Sequence, residues 1–172
     1  MKGVKAVRDE ELIKQIKRGH TEYANELIKR HYSSILRYCA WHCSDPQRAE
    51  DLTQETFLRV FRDFSQYDDR GKFRAYLYMI AYHLCIDESR KPKFYSLDDD
   101  IGDSRDYFSE IENVEEINSL LKRLSPPQRE AIILRFAEQL SFREISQITG
   151  IPIRTIQSRV RLALAIMRKE KP

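Results

Sequence analysis

Apolar residues recur at steps of three and four along most of this chain, and that period constrains the fold more than any other feature. From 21 to 43 the apolar positions share one helical face, and similar stripes run from 49 to 64 and from 73 to 84. Only five glycines and six prolines occur in 172 residues, which leaves little material for tight hairpins. The sequence therefore predicts an all-α protein.

Capping residues mark where several of the predicted helices begin and end. Gly19 closes a short first helix, and Asp45-Pro46 supplies an N-cap and a proline at the first position of the third. Ser125 and Ser141 each begin a capping box, in which a Gln or Glu three residues later bonds back to the cap. We therefore expect one helix to run from Ser125 through Phe136 and another to start at Ser141.

Charge divides the chain into three parts. Residues 94–116 hold nine acidic residues against the single basic residue Arg105, whereas both flanking parts are net positive, and the whole chain carries +3. Acidic residues, proline and glycine without a period predict a linker. We therefore expect two small helical domains, 1–91 and 113–172, joined by an acidic linker at 92–112. Basic domains suit a polyanion such as nucleic acid, although a solvated surface is the alternative.

The C-terminal domain contains the spacing of a helix-turn-helix. Ser146, Gly150 and Ile156 lie at offsets of four and ten, as a small crossing residue, a turn glycine and a β-branched anchor require. The second helix, which Pro152 opens, has an apolar stripe that we expect to be buried: Ile153, Ile156, Val160, Leu164 and Met167. Its outward residues suit phosphates and base edges in the major groove: Arg154, Thr155, Gln157, Ser158, Arg159 and Arg161. A plain helical hairpin with a polar face is the alternative.

A second candidate surface mixes rings with positive charge between residues 70 and 83. Such mixtures hold single-stranded nucleic acid, because rings stack on unpaired bases while cations follow the backbone. Rings at helical spacing are also common in cores, and we expect Phe73 to be buried. Arg74, Tyr78 and Tyr82 lie beside the apolar stripe, a placement that would leave them exposed. The candidates are Arg70, Lys72, Arg74, Tyr76, Tyr78, Tyr82 and His83.

Motifs for catalysis, cofactors and metals are lacking in the sequence. It has no Gly-rich phosphate loop, no G-x-S-x-G and no H-E-x-x-H, so we expect neither an enzyme nor a small-molecule substrate or cofactor. Cys39, His42 and Cys43 are too few and wrongly spaced for a zinc site, and we expect core packing or an inert thiol there. No apolar run reaches the roughly 20 residues of a membrane helix or forms a signal core, which favours the cytoplasm.

Four motifs, in order, carry a resemblance to a known family. They are Asp51-Leu-Thr-Gln54-Glu55 with its continuation to Phe61, Phe73-Arg-Ala-Tyr76 with its continuation to Ala81, Leu124-Ser-Pro-Pro-Gln-Arg129 with its continuation to Arg135, and the helix-turn-helix. Together they resemble the sigma-70 family of bacterial RNA polymerase initiation factors. The extracytoplasmic-function (ECF) branch, which keeps only regions 2 and 4, fits best.

The resemblance implies a role for each candidate surface. Asp51, Gln54 and Glu55 would bind the clamp helices of the largest subunit of core RNA polymerase. The stretch 65–87 would open the −10 promoter element and capture a flipped base, and the last helix would read the −35 element as duplex. The protein would then be an alternative sigma factor that directs polymerase to specific promoters. A stand-alone regulator that binds DNA as a dimer is the alternative.

The resemblance also implies further partners, and the sequence departs from the family pattern at several positions. An anti-sigma factor would mask both domains, and the acidic linker would mimic RNA in the exit channel of the polymerase. His83 replaces a common Asn, which leaves the base preference at the −10 element open. Gln157, Leu162 and Leu164 stand where basic residues are common, so we expect weak duplex binding that depends on polymerase.

Overall fold

The computed structural model describes residues 7–90 and 114–169 of the chain. Within these two ranges the structure is helical and contains no strand, so the predicted all-α class is confirmed. The predicted acidic linker at 92–112 lies outside the described residues. The helices are α1 (Asp9–Lys17), α2 (Tyr23–His42), α3 (Pro46–Arg62), α4 (Phe73–Arg90), α5 (Val114–Lys122), α6 (Pro126–Ile132), α7 (Phe142–Thr149) and α8 (Ile153–Arg168).

Helices α1–α4 form the N-terminal unit, in which α2 packs against α1, α3 and α4. Gly19 follows α1 with a φ of 97°, as its predicted stop requires. The Asp45 side chain accepts a hydrogen bond from the Gln47 amide at 3.0 Å, and Pro46 is the first residue of α3. A single 3₁₀ turn at 64–66 then leads to the loop before α4.

The core of the N-terminal unit consists of the apolar stripes that the sequence predicts. Leu27 and Ile35 of α2, Val60 of α3 and Leu77 of α4 are all fully buried. Two threonines of α3 are buried as well, and Thr53 satisfies its hydroxyl by donating to the carbonyl of Ala49 at 2.8 Å. Burying a polar hydroxyl is tolerated because it is hydrogen-bonded.

Helices α5–α8 form the C-terminal unit, in which α8 packs on both α6 and α7. Both predicted capping boxes are present, with the Ser141 amide donating to Glu144 at 2.8 Å and the Ser125 amide donating to Gln128 at 3.1 Å. The turn between α7 and α8 contains Gly150 with a φ of 71°. These helices build the predicted helix-turn-helix.

The predicted helix from Ser125 through Phe136 is interrupted in the structure. The α-helix ends at Ile132, and residues 133–137 widen into a π-helical segment in which the Glu138 amide donates to the Ile133 carbonyl at 3.0 Å. Gln139 then has a φ of 53°, and the Leu140 amide bonds to the Leu134 carbonyl at 3.0 Å. The wider turn leaves Phe136 half exposed, a result that the apolar period alone does not predict.

The two units pack against each other through α4 and α7. Their buried apolar residues join in one continuous cluster that extends from Leu12 to Ala163. Among the described helices, none combines the length and the apolarity that crossing a bilayer requires.

Candidate polymerase and nucleic-acid surfaces

Helix α3 presents a polar face to solvent opposite its buried stripe. Asp51 and Gln54 are exposed and Glu55 is half-buried, so the three predicted polymerase-binding residues lie on one accessible surface. Arg59 donates to the Glu55 carboxylate at 2.7 Å, and Gln47 donates to Asp51 at 3.2 Å. Such exposed pairs contribute little to stability, so the polar groups are available to a partner.

Leu58 adds an apolar side chain to the polar face of α3, and sequence analysis missed it. It is 66% exposed, the highest exposure among the large apolar residues of the described chain, and it lies one helical turn beyond Gln54. Isolated apolar residues on a surface are common, but one flanked by accessible polar groups resembles the centre of a protein interface. The sequence does contain a signal that could have identified Leu58, because it is an apolar residue outside the apolar stripe of α3.

The −10 candidates in the loop before α4 are accessible. Arg70 and Lys72 are exposed, with Arg70 donating to Asp68 at 2.8 Å. Tyr76 is half-buried and stacks on Tyr67 with ring centroids 4.6 Å apart. A shallow cleft beside these residues also has Gln147 of α7 on its wall, so the C-terminal unit borders this surface.

Three other −10 candidates lie on the stripe that the sequence predicts to be exposed, and for Tyr78 that prediction is wrong. Tyr78 is fully buried, Arg74 and Tyr82 are half-buried, and His83 at the next position is exposed. The reason is the C-terminal unit, which covers this side of α4. Phe73 is buried, as predicted.

A cluster of polar residues joins the two units, and sequence analysis did not identify it. Glu138 of the C-terminal unit is 1% exposed and accepts hydrogen bonds from the Tyr78 hydroxyl and from Arg37, whose Nε and Nη2 lie 3.3 and 3.2 Å from the carboxylate oxygens. The Arg74 guanidinium donates to the Glu138 carbonyl. Sequence separations of 60 to 101 residues explain why no local pattern indicates these pairs.

A second carboxylate of the C-terminal unit lies beside the first. Glu130 accepts from the Tyr38 hydroxyl at 2.6 Å, and its other oxygen lies 3.1 Å from His42 Nε2. Burial, reinforced by the nearby Glu130 charge, raises the pKa of Tyr38 well above its usual value. Burial and Glu138 raise the pKa of Tyr78 in the same way. Both tyrosines are therefore neutral donors at neutral pH.

The second helix of the helix-turn-helix displays most of the predicted −35 candidates. Arg154, Thr155, Gln157 and Arg161 are exposed, and Ser158 and Arg159 are half-buried. Ile156, Val160 and Ala163 form the side that packs inward, each at most 5% exposed. The residues suited to phosphates and base edges thus lie on the accessible side of α8.

The predicted buried stripe of α8 needs correction at three of its five residues. Ile153, the first residue of α8, is 39% exposed. Leu164 and Met167 are only half-buried, and Leu162 is 50% exposed. The outer side of α8 therefore mixes apolar with basic residues.

Two of the three cysteines lie in the interior of the N-terminal unit, and Cys43, which follows α2, is half-buried. Cys39 of α2 faces Cys85 of α4 with the sulfur atoms 4.0 Å apart, and both residues are buried. Burial raises the pKa of the Cys43 thiol to about 12, so that thiol is protonated at neutral pH. In the part of the chain that the structure describes, no three His, Cys, Asp or Glu residues are grouped to hold a metal ion.

Two family models match this chain. The model of sigma-70 region 2 matches residues 27–94, which include most of α2 and all of α3 and α4. The model of sigma-70 region 4 matches residues 114–167, which include all but the last residue of the helix-turn-helix. The two matches leave a gap between them where the sequence is most acidic. The predicted two-domain organisation agrees with these matches.

Curated proteins and a solved structure are similar over most of the chain. The ECF sigma factor SigW of Bacillus subtilis is 27% identical, with 92% of this chain and 94% of the relative covered. The probable sigma-C factor of Mycobacterium bovis is 30% identical, with 83% and 80% covered. The sigma factor RpoE of Bartonella quintana, solved with the anti-sigma factor NepR, shares the fold at a TM-score of 0.65 and 23% identity, with 87% and 96% covered.

These matches agree with the order of the motifs and with the helix-turn-helix. They cover both described units and favour a polymerase subunit over the stand-alone regulator. The chain belongs to the sigma-70 family, and within it to the ECF branch of alternative sigma factors, which direct RNA polymerase to promoters.

Proposed function

We propose that this sigma factor binds promoters through two separate surfaces while a third attaches it to core polymerase. The observation that carries the proposal is the accessible basic face of α8 in one unit together with the accessible polar face of α3 in the other. A sigma factor must bind polymerase and DNA at the same time. Here the candidate surface for polymerase lies on α3 and the candidate surface for duplex DNA lies on α8.

The α8 face is proposed to read the −35 element as duplex DNA. Arg154, Arg159 and Arg161 supply charge for phosphates or guanine edges, while Thr155, Gln157 and Ser158 supply neutral hydrogen-bonding groups. Leu162 and Leu164 add no charge to this face. Affinity for duplex alone is therefore expected to be modest and to depend on polymerase.

The loop and helix at 70–83 are proposed to open the −10 element. Arg70 and Lys72 would follow the DNA backbone, Tyr76 and Tyr82 offer rings for unpaired bases, and His83 lies beside them. Extruding a base costs a few kcal/mol, which stacking and cations can offset without any nucleotide hydrolysis. The proposed mechanism therefore requires no enzymatic activity of the chain.

The α3 face is proposed to bind the clamp helices of the largest polymerase subunit through Asp51, Gln54 and Glu55. Leu58 would provide an apolar anchor among these polar contacts. We place the protein in the cytoplasm, where the polymerase acts. We further propose that the acidic linker occupies the RNA exit channel and that an anti-sigma factor masks both units, as NepR accompanies the Bartonella sigma factor.

Transcription in vitro tests this function directly. Core polymerase is incubated with a randomised promoter library, with and without the full chain, and start sites are sequenced. We expect the chain to create a specific set of start sites that share two spaced elements. Start sites that do not change would contradict the proposal, and tight binding of a palindromic duplex by the chain alone as a dimer would favour the stand-alone regulator.

The double variant Gln54→Ala and Glu55→Ala tests the polymerase surface. We expect its affinity for core polymerase to fall by about tenfold or more, because two interface side chains are removed from an accessible face without disturbing the core. The matched control is Glu11→Ala with Gln15→Ala, a hydrogen-bonded pair on α1. Equal affinities of the two double variants for core polymerase would show that α3 is not part of the interface.

A further inference from the structure

The loop between α3 and α4 carries one half of an aromatic stack. Tyr67 lies in this loop, and its ring stacks on that of Tyr76 with the centroids 4.6 Å and the planes 24° apart. Both tyrosines are half-buried, and Tyr67 also meets Phe73 edge to face at 5.7 Å. Arg70 and Lys72 line the same shallow cleft as the two tyrosines. Tyr67 therefore extends the surface that the proposed function assigns to the −10 element.

Helix α1 contacts this loop through Lys17, its last residue. The Lys17 ammonium donates to the Tyr67 carbonyl, and its Nζ lies 5.9 Å from the centroid of the Tyr67 ring. A cation at this distance is attracted by the electrons of the ring. Lys17 thus contacts both the backbone and the side chain of Tyr67, although 50 positions separate them in the sequence.

The first turn of α1 lies against the other end of the same loop segment. Gly71 has a φ of 70°, and a Cβ added there would lie 3.1 Å from Oε1 of Glu10. The Gly71 amide donates to Asp69 at 3.1 Å, and the same Asp69 oxygen accepts from the Tyr67 hydroxyl at 3.3 Å. The two ends of the segment 67–71 therefore lie against the two ends of α1.

Helix α1 is itself firmly attached to the N-terminal unit. Leu12 and Ile13 are 2% and 1% exposed, so one side of the helix belongs to the core. Asp9 accepts a hydrogen bond from Arg30 at 3.1 Å and lies 2.6 Å from Nε2 of His31, and both partners belong to α2. A side chain on a helix that packing fixes in this way can hold a loop in one geometry.

We propose that Lys17 is a positioning residue for promoter opening. It acts through Tyr67 and holds the stack of Tyr67 on Tyr76 where an unpaired base of the −10 element can pack against it. Lys17 lies before residues 27–94, the part of the chain that the region 2 model matches. The proposal rests on the proposed function of the loop and helix at 70–83, whereas the contact between α1 and the loop is a property of the free chain.

Binding of a single strand by the polymerase holoenzyme tests the positioning role. The probe is the non-template −10 segment of a promoter that the library experiment selects. Lys17→Met removes the donor and the charge from an exposed side chain, and we expect it to weaken binding by about fivefold or more, the low end of what stacking of one base contributes.

Two matched variants separate positioning from a general loss of charge. Lys14→Met removes the same charge from another exposed residue of α1 and should leave the affinity for the strand near that of wild type. Lys17→Arg keeps a donor and a charge and should restore most of the affinity that Lys17→Met loses. Equal affinities of Lys17→Met and Lys14→Met would overturn the proposal, and so would a Lys17→Arg variant as weak as Lys17→Met.

A double-variant cycle shows whether Lys17 acts through Tyr67. Tyr67→Ala removes the ring but leaves the carbonyl that Lys17 binds, so Lys17 then has no ring to position. Lys17→Met should therefore add little to the loss that Tyr67→Ala causes, because the effects of coupled residues are not additive. Losses that multiply would mean that Lys17 acts on DNA independently and would overturn the proposal. If circular dichroism shows that Tyr67→Ala loses helicity, Tyr67→Leu replaces it in the cycle.

Hydrogen exchange of the free full chain tests the contact without polymerase or DNA. The Tyr67 amide donates to the Phe64 carbonyl at 3.2 Å, and the Gly71 amide donates to Asp69, so both amides report the geometry of the loop. Lys17→Met should speed exchange in the segment 67–71 by at least about threefold, and Lys14→Met should not. Unchanged exchange in Lys17→Met would overturn the proposal.

The two experiments together separate failure of this proposal from failure of the proposed function. A wild-type holoenzyme that does not bind the −10 strand would contradict the proposed function, and with it the positioning role. Faster exchange in Lys17→Met would in that case still support the contact between α1 and the loop. A wild-type holoenzyme that binds the strand, with a Lys17→Met variant that binds it equally well, would overturn the positioning role alone.

Discussion

Helices α4 and α8 both carry cations beside apolar residues, yet the fold treats them in opposite ways. On α8 the residues suited to DNA are mostly exposed, including Arg154, Gln157 and Arg161. On α4 the stripe of Arg74, Tyr78 and Tyr82 is covered by the other unit, and Tyr78 is fully buried. Residue type therefore identifies a candidate nucleic-acid surface, whereas the accessibility of that surface depends on long-range packing.

Substitution of Tyr78 has the largest expected effect on stability. An absence of any effect would contradict the difference in burial between α4 and α8. Tyr78→Ala should lower the free energy of unfolding by about 3–5 kcal/mol, because it leaves a cavity where a large ring was packed. Tyr78→Phe should lower it by about 1–3 kcal/mol, because Glu138 loses a donor. Urea denaturation measures both. If neither variant changed the free energy of unfolding, Tyr78 would be exposed in solution.

The difference between α4 and α8 also shows how far sequence reasoning reaches. Helix positions, the N-cap at Asp45 and the capping box at Ser141 follow from short-range hydrogen bonding, so local patterns predict them. The exposed face of α8 follows in part from its period, because Ile156 and Val160 of the predicted stripe are buried, whereas the burial of Ala163 was not predicted.

Features that depend on distant residues could not be predicted in this way. Tyr78 is buried against Glu138, which lies 60 residues away, and the π-helical segment at 133–137 ends at that same residue. Ile153 fits the apolar stripe by spacing but lies at the helix start. Assignment of individual residues to polymerase and promoter contacts stays a prediction.

Removal of a cation from α8 tests whether the exposed face of this helix reads DNA. Arg159→Ala should weaken binding of polymerase holoenzyme to the −35 element by about 1–3 kcal/mol if this side chain reads a base. If it contacts only phosphate, the loss should be similar for all sequences and the salt dependence should be shallower. Arg168→Ala, at the exposed end of α8, is the control and should change affinity little. Equal losses for both variants would argue against a specific reading face.

Substitution of Gly150 tests whether α8 needs the turn that precedes it in order to bind the −35 element. Gly150→Ala should cost about 1–2 kcal/mol of stability, because its φ of 71° is unfavourable for a side chain although no atom lies within 4 Å of the added Cβ. Gly19→Ala is the matched control, since Gly19 has a φ of 97° and equally open space in the other unit. We expect similar losses of stability but weaker −35 binding only for Gly150→Ala, and equal −35 binding would contradict the proposed role of the turn.

The smallest expected effect concerns the turn that carries Glu138. Gln139 has a φ of 53°, so Gln139→Gly should relieve backbone strain and raise the free energy of unfolding by about 0.5–1 kcal/mol. Thermal denaturation measures the gain as a higher Tm. A lower Tm would indicate that the Gln139 side chain itself stabilises the turn.

Hydroxyl-radical footprinting with mass spectrometry tests most directly whether the α4 surface is covered in the free chain and uncovered on polymerase. We expect Tyr78 to be almost unreactive in the free chain and to become reactive when the chain binds core polymerase without DNA, while the α8 face reacts in the free chain. A reactive Tyr78 in the free chain, or the same protection of Tyr78 on polymerase, would contradict this expectation.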